Sequence, residues 1–503
     1  MFGKFGFRDR SHLLVRIFAD YEENKMSYIE NNPTYRKHTR EKGKVQIVRI
    51  APFLDGVEIE YRTQEDKKPF IKIIVTEMNT NKIAYEKVQC YAPGHLRVKG
   101  LAPEIDYLAE VIVCDENLEE RARSNARIFR CGFFPGTVID YIHPDDMTFI
   151  ESGRYVGSPH IIKTPSGTMV ASHDVFGYGG VHSSLCRFFG SNDSGKTWFF
   201  KSEIKHCTWG TMFVNNNTLY IIGTSQGSKG GDLLLYYSND EAGTWSDPIV
   251  LAKHGEQLFY RSTPTAYAIH NDRIWFYLGV HENGTNKVAA ASVELCSDIA
   301  NPANWTISEA TEYNNGWKDV AESWHDMMIE EGNMVVDQNG EIKMLVRCNS
   351  HRYGTVNIKP ENIRALLFKI DQKDPLKAPE FDKAILFNGG LHKFYIQYDE
   401  VQKKYLALVN RMTVQHLSQR NVLSLFSSED LDKWILERDL INLEDLNWPE
   451  GQKAAVQYPS FIVENNEIAA VVRTALNGAD SFHDSNAITF HRFREIKDNY
   501  RFW

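Results

Sequence analysis

Histidines, arginines, tyrosines and acids recur at the ends of short apolar runs over the C-terminal two thirds of the chain. Side chains of these types transfer protons near neutral pH and neutralise carboxylates. His173 follows the run Met169–Ser172, and Tyr260 and Arg261 begin another run. Further candidates of the same kind are His182, Arg187, His325, Glu331, Lys393, Arg411, Tyr458, Arg473 and His483. Their recurrence predicts one pocket that collects a few side chains from each of several repeats.

Individual roles follow from residue type. We expect His173 to move a proton, with Tyr260 or Tyr458 as the proton donor. Arg261, Arg411 and Arg473 would hold a carboxylate, since the guanidinium fork suits that group. Glu331, together with Asp174, supplies the carboxylates that hydrolysis would need. The remaining predicted substrate-binding residues are His182, Arg187, His325, Lys393 and His483, and the chemistry requires no metal or cofactor.

The element that positions such a pocket is marked by Ser191-Asn192-Asp193-Ser194-Gly195-Lys196-Thr197-Trp198. Ser and Asp side chains hold a turn through backbone N–H groups, Gly takes a positive φ, and Trp packs between sheets. A variant ends at Trp245, 47 residues after Trp198, and degenerate copies end at Trp434 and Trp305. A period of 40–50 residues with about four short strands is typical of a propeller.

The chain divides into four segments. Residues 1–42 form an arm with a possible helix at 11–24, and 43–130 alternate as strands. Residues 101–107 look like a tyrosine corner, so 43–130 resemble a fibronectin type III-like β-sandwich. Residues 131–150 link it to a propeller over 151–503. At about 50 residues a blade, seven blades are favoured and six are possible, closed by the strand at 487–493.

Composition excludes several function classes. The chain has 503 residues and a net charge of −9 with mixed signs, which does not favour nucleic-acid binding. No apolar run is long enough to span a membrane, and no secretory signal is visible. Seven cysteines without short paired spacing predict reduced thiols, so we expect a cytoplasmic protein.

The Trp-terminated turn resembles the Asp box of sialidase-like (BNR-repeat) β-propellers. Within that group the sequence is similar to seven-bladed enzymes acting on rhamnosyl-glucuronate ends of plant glycans. The matching residues are Tyr155, Gly157, Ser158, Pro159, Ser172, His173, Asp174, Phe176, Gly177, Arg473, Thr474, Ala475, His483, Asp484, Asn486, Thr489, Phe490, His491 and Arg492. The resemblance places the family's catalytic histidine at His173. The chain departs from the pattern at Arg261, where His is expected, and lacks the Arg-Ile-Pro motif of ordinary sialidases.

The predicted substrate is an acidic, uronate-containing oligosaccharide. The favoured reaction is β-elimination, in which a base removes the C5 proton and an acid protonates the departing oxygen. The alternatives are an exo-acting glycoside hydrolase, rhamnosidase- or sialidase-like, and a non-catalytic glycan-binding propeller. The sequence leaves the sugar and the oligomeric state open.

Overall fold

The structure is a computed structural model and describes residues 45–494 except 65–69, 91–93, 150–152, 178–184, 228–229, 318–326, 351–358, 415–418 and 445–452. The predicted arm and helix in residues 1–42 lie outside this part of the chain. The described secondary structure is almost entirely β-strand, with short 3₁₀ turns at Pro302–Asn304 and Pro360–Asn362. No helix within these ranges is long and apolar enough to cross a membrane.

The first eight strands form two antiparallel sheets that pack on one shared core as a β-sandwich. The sheets are ordered β1-β2-β5 and β4-β3-β6-β7, with β8 also paired to β6. They are β1 Val45–Phe53, β2 Gly56–Thr63, β3 Phe70–Glu77, β4 Ile83–Cys90, β5 His95–Lys99, β6 Asp106–Cys114, β7 Glu120–Arg123 and β8 Arg127–Arg130. Alternate residues of β3 and β6 are buried, as expected when one face of a sheet covers a core. The Tyr107 hydroxyl accepts a hydrogen bond from Ala102 N at 3.0 Å, which fixes the turn before β6.

Six antiparallel sheets follow in chain order. The first sheet contains β10 Tyr155–Lys163, β11 Met169–Phe176, β12 Leu185–Ser191 and β13 Phe199–Lys205, and the second contains β14 Thr208–Asn215, β15 Thr218–Thr224, β16 Leu233–Ser238 and β17 Ile249–Ala252. The third contains β18 Leu258–Arg261, β19 Ala268–His270, β20 Arg273–Glu282, β21 Thr285–Glu294, β22 Trp305–Ile307 and β23 Thr311–Glu312, and the fourth contains β24 Met327–Val336, β25 Ile342–Ser350, β26 Arg364–Lys369 and β27 Glu380–Leu386. The fifth contains β28 Tyr395–Asp399, β29 Lys404–Asn410, β30 Val422–Ser428 and β31 Ile435–Asn442, and the sixth contains β32 Ala455–Glu464, β33 Glu467–Ala475 and β34 Ala487–Phe493.

Hydrogen bonds between the innermost segments of neighbouring sheets close these sheets into a ring; the segments are the first strands and, in the third sheet, the residues between β18 and β19. Successive links join the first sheet to the second, and so on to the sixth, which returns to the first. They are Met212 N to His160 Nδ1, Thr211 Oγ1 to Thr263 O, Ala266 N to Asn333 Oδ1, Ile396 N to Asn333 Oδ1, Val463 N to Gln397 Oε1 and Ile161 N to Ser460 Oγ, all between 2.7 and 3.3 Å. The first strand of each sheet is therefore the innermost, and the molecule has the architecture of a β-propeller.

The sixth sheet is completed by β9 (Thr137–Tyr141), which pairs with β34 and so joins the two ends of the ring. The predicted closing strand at 487–493 is thus confirmed as one partner. Residues 137–141 were expected to be linker, but they form the outermost strand of this sheet. The ladder provides the backbone hydrogen bonds that a buried extended segment requires.

The described residues contain six such sheets, one fewer than the favoured seven. The third, fourth and fifth sheets begin at Leu258, Met327 and Tyr395, so these repeats are longer than the 47 residues between Trp198 and Trp245. Loops between strands account for the extra length. Dividing the chain by a constant repeat therefore overestimates the number of sheets.

The Trp-terminated turns join the third and fourth strands of their sheets and have the predicted geometry. Asp193 accepts from Thr197 N at 2.9 Å, and Trp198 Nε1 donates to Gly195 O at 3.1 Å. Gly195 has a φ of 86°. In the second copy Ala242 takes the place of Gly195 at a φ of 69°, so this turn forms with a strained alanine.

Asn333 links three sheets at the axis. Its Oδ1 accepts from Ala266 N and Ile396 N at 3.1 and 3.3 Å, and its Nδ2 donates to Phe394 O at 3.2 Å. We expect Asn333→Ala to lower the free energy of unfolding by about 2–4 kcal/mol, because it leaves buried backbone groups unpaired. Urea unfolding checks this, with the exposed Asn339→Ala as a control near zero; equal midpoints for the two variants would contradict the expectation.

Candidate active site

Four of the six innermost strands carry a β-bulge near the same end of the ring. At each bulge the ladder register shifts and one non-glycine residue has a positive φ: Ser158 at 45°, Trp209 at 57°, Glu331 at 57° and Tyr458 at 55°. Such backbone is strained, and bulges re-aim side chains next to functional sites. The repeated bulge therefore points to this end of the axis as the candidate site.

Three arginines surround the phenol of Tyr458. Arg347 Nη1 lies 3.5 Å from the hydroxyl oxygen, and the guanidinium carbons of Arg473 and Arg420 lie 5.2 and 5.7 Å from the ring centre. Arg347 lies on β25 of the fourth sheet, Arg420 in the segment before β30 of the fifth sheet, and Arg473 on β33 of the sixth sheet. All three are buried. The cluster concentrates positive charge where water is largely excluded.

Part of this charge has no protein partner. Arg420 Nη1 donates to Gln457 Oε1 at 2.7 Å, but Arg420 Nε and the Nε and Nη2 atoms of Arg473 bind no acceptor among the described residues. Leaving buried N–H donors unpaired is costly. A bound carboxylate would satisfy them with charge-assisted hydrogen bonds.

Two adjacent glutamates contact Arg347. Glu331 Oε2 pairs with Arg347 Nη1, and Glu330 Oε1 lies 3.3 Å from the same nitrogen. Burial raises the pKa of Glu330, although Arg347 opposes this effect. Burial and the nearby Glu331 carboxylate raise the pKa of Tyr458 against the three arginines. The site thus holds a neutral phenol, and the Glu331 carboxylate pairs with the same Arg347 nitrogen that lies 3.5 Å from the phenol oxygen.

Lys393 contacts the backbone of the Tyr458 bulge. Its Nζ donates to Pro459 O, and the ammonium lies 5.1 Å from the centre of the Tyr395 ring. Burial lowers the pKa of Lys393 to about 7, although Glu331 opposes the shift. The lysine therefore ties the fifth sheet to the strained residue of the sixth.

The rim contains His483 and Arg261. His483 Nδ1 lies 2.7 Å from Asp484 Oδ1, and burial with the nearby Arg473 lowers the pKa of His483 to about 4. Arg261 lies on the opposite side, with its guanidinium 6.0 Å from the Trp209 ring. At neutral pH His483 is uncharged and can accept or donate a hydrogen bond.

The structure brings together six of the twelve predicted residues: Arg261, Glu331, Lys393, Tyr458, Arg473 and His483. It places four elsewhere: His173, Arg187, Tyr260 and Arg411. His182 and His325 lie outside the described residues. Of these six, Arg261, Glu331 and Tyr458 lie on innermost strands and Lys393 lies just before one, where the ring brings side chains of different sheets together.

The placement of His173 argues against its predicted proton transfer. Its Nε2 lies 3.1 Å from Asp140 Oδ2, its Nδ1 lies 3.0 Å from Asp174 O, and its ring stacks on Phe189. Only 1% of its surface is exposed. Arg187 binds the same Asp140 and Val48 O. Both residues belong to the packing between the first sheet, the sixth sheet and the sandwich.

Tyr260, Arg411 and Asp174 also differ from expectation. Tyr260 packs into the core between the second and third sheets. Arg411 pairs with Asp439 on β31, away from the axis. Asp174 is buried, and its Oδ2 accepts from Trp209 N at 2.8 Å. The aspartate therefore holds the Trp209 bulge rather than facing a substrate.

Sequence reasoning missed Arg420 and Trp209 and gave Arg347 no role. Arg347 ends an apolar run, and that signal was available. Arg420 precedes β30 in a polar stretch with no distinguishing pattern. Trp209 was not predicted as a site residue because the other tryptophans considered in the sequence mark turns at the outer edge of the sheets.

Comparisons with known proteins give only a remote structural similarity. No protein-family model and no curated relative matches the sequence. Among solved structures, a Trypanosoma rangeli sialidase in complex with 2,3-difluorosialic acid is similar at 14% identity and a TM-score of 0.47, covering 75% of this chain and 56% of that chain. The chain thus spans little more than half of that sialidase.

Other similar structures are also glycan-processing enzymes. A leech intramolecular trans-sialidase is 9% identical with a TM-score of 0.46, covering 91% of this chain and 92% of that chain. A Bombyx mori GH32 β-fructofuranosidase is 11% identical with a TM-score of 0.39, covering 65% and 69%. These TM-scores lie below 0.5, so the likeness leaves substrate and reaction open.

Proposed function

We propose that this protein is an exo-acting glycoside hydrolase for a glycan that ends in a carboxylate-bearing sugar. The observation that carries the proposal is the buried cluster of Arg347, Arg420 and Arg473 around one phenol, with guanidinium N–H groups still unpaired. These groups would bind the sugar carboxylate and hold its anomeric carbon over Tyr458.

Tyr458 is the proposed nucleophile and Glu331 its base. The phenol oxygen forms a bond to the anomeric carbon while the bond to the leaving oxygen breaks, and the phenol proton passes to Glu331. A tyrosine nucleophile replaces the usual carboxylate in some glycosidases. The raised pKa of Tyr458 makes the base necessary, because the free phenol is neutral at pH 7.

Glu330 is the proposed acid and base for the leaving group. Burial raises the pKa of its carboxyl, which favours the protonated form that can give a proton to the departing oxygen. In the second half of the reaction Glu330 would take a proton from the water that displaces Tyr458 from the anomeric carbon, and Glu331 would return its proton to the departing phenol oxygen. Both glutamates contact one nitrogen of Arg347, so a single guanidinium positions the pair.

Hydrolysis, the alternative drawn from the sequence, has more support than elimination. The lyase hypothesis depended on His173, which is buried against Asp140 and Phe189. The hydrolase hypothesis used Glu331 and Asp174. We keep Glu331 and propose Tyr458 and Glu330 in place of Asp174, whose buried carboxylate accepts from Trp209 N. The closeness to rhamnosyl-glucuronate enzymes stays a prediction, as does the fibronectin type III-like sandwich.

A substrate panel tests the proposal. The protein is incubated with sialyllactose, aryl sialosides, aryl glucuronides and rhamnosyl-glucuronate oligosaccharides, while released sugar and ultraviolet absorbance are followed together. Release of an acidic sugar without new absorbance supports hydrolysis. An unsaturated product means elimination, and binding without turnover means a glycan-binding propeller; either result overturns the proposal.

Arg473→Ala should weaken recognition of the carboxylate. We expect kcat/KM for the acidic glycoside to fall about 10²-fold, mainly through KM, because one charged clamp on a buried anion is lost. Steady-state kinetics on the best panel substrate measures this. Arg411→Ala is the matched control, since Arg411 pairs with Asp439 away from the site; equal losses in the two variants would contradict the proposed clamp.

A further inference from the structure

Trp209 is a bulky residue held in a backbone conformation that it disfavours. Its φ of 57° lies in the left-handed region, an outlier for a large side chain. The buried Asp174 carboxylate accepts its backbone N–H at 2.8 Å and fixes this conformation. The indole itself is only half-buried. The fold thus maintains a partly open aromatic ring at the axial end that carries Glu331 and Tyr458.

The ring geometry places this indole across the axis from the arginines. Arg347, Arg420 and Arg473 come from the fourth, fifth and sixth sheets, and Trp209 belongs to the second. In a closed ring of six sheets the second lies opposite the fifth. A sugar whose carboxylate binds the arginines therefore directs its other substituents toward the second and third sheets.

Polar side chains stand beside the indole. The Arg261 guanidinium lies 6.0 Å from the Trp209 ring, and its Nη1 donates to Asn286 Oδ1 at 3.4 Å. Asn286 lies on the β20–β21 hairpin, which pairs with the start of β18 at the same end of the axis. An aromatic surface with a few polar groups at its edge is the usual composition of a small-molecule binding site.

We propose that Trp209 is the stacking surface of a second subsite, which binds a neutral pyranose on the leaving-group side of the cleaved bond. This inference rests on the proposed function and adds that the sugar released as the leaving group is an uncharged pyranose. The C–H face of an uncharged pyranose packs on the indole, and Arg261 and Asn286 bind its hydroxyls.

Kinetics with two forms of one substrate tests the subsite. We compare 3′-sialyllactose with methyl sialoside, or the equivalent disaccharide and methyl glycoside if the panel selects a uronate. In Trp209→Ala we expect kcat/KM to fall at least about tenfold for the disaccharide and less than about threefold for the methyl glycoside. Trp209→Phe should retain most of the disaccharide activity. Equal losses on both substrates would overturn the inference.

A binding measurement keeps the two proposals separate. Saturation-transfer NMR with lactose and with methyl rhamnoside is carried out on wild type, Trp209→Ala, Trp209→Phe and Tyr458→Phe. Binding of either neutral sugar that is lost only in Trp209→Ala supports the subsite, even if no panel substrate is hydrolysed. Neutral-sugar binding that is unaffected in Trp209→Ala, or absent from wild type, overturns it while leaving the proposed hydrolysis intact.

Discussion

Replacing Tyr458 with Phe is expected to lower kcat by about 10³-fold or more, with KM for the acidic glycoside nearly unchanged. The substitution removes only the hydroxyl, which lies 3.5 Å from Arg347 Nη1, and keeps the ring between Arg420 and Arg473. Carboxylate binding depends on the arginines and therefore survives. Steady-state kinetics on the best panel substrate, with isothermal titration of the acidic product, separates the two effects.

Tyr260→Phe is the matched control, because Tyr260 packs in the core between the second and third sheets. It should retain nearly full activity. A Tyr458→Phe variant with wild-type kcat would remove the proposed nucleophile, and Glu330 and Glu331 would then be the remaining pair for hydrolysis. Mass spectrometry of an enzyme trapped with a fluorinated acidic sugar should locate the adduct on the peptide that contains Tyr458.

The sequence predicted this site only partly, because the bulges are not visible in it. Glu331 and Tyr458 were found as polar residues near the starts of strands. A bulge adds one residue to the strand and changes which side chains face the axis. No residue pattern common to Ser158-Pro159, Trp209-Gly210, Glu331-Gly332 and Tyr458-Pro459 marks the four positions, except that Gly or Pro follows each one.

For His173 the sequence predicted the strand but not the direction of the side chain. The residue lies where it was expected, in the first sheet after Met169–Ser172, but its side chain points to the face of the sheet away from the predicted pocket. Adjacent residues of a strand point to opposite faces, so Asp174 reaches Trp209 while His173 reaches Asp140. Sequence alone does not say which face of an almost entirely buried strand looks toward the axis, since all eight residues of β11 are buried.

The ion cluster around Asp140 is where the sandwich, β9 of the sixth sheet and the first sheet meet. Asp140 lies on β9 and binds Arg187 and His173 of the first sheet. Arg187 also donates to Val48 O in the sandwich, and Arg49 donates to Ile139 O at 2.6 Å. These residues thus connect three parts of the molecule, which explains their burial without a catalytic role.

Asp140→Asn should therefore lower the free energy of unfolding by about 3–5 kcal/mol, because it leaves the buried Arg187 without its counter-charge. The isosteric side chain preserves the packing, so the loss reports on charge. Urea unfolding at pH 7 measures it, with the exposed Asp247→Asn as the matched control. If both variants unfold at the wild-type midpoint, the cluster does not hold the ring and sandwich together.

The pH dependence gives a second check on the same cluster. Burial alone would raise the pKa of Asp140, but Arg187 and His173 outweigh it and lower the pKa to about 2. A carboxyl with a lowered pKa in the folded state stabilises it above the ordinary value of about 4, and this contribution disappears as the pH falls toward 2. The difference in stability between wild type and Asp140→Asn should accordingly narrow from pH 5 to pH 2. A constant difference over that range would mean that lost packing, rather than lost charge, destabilises the variant.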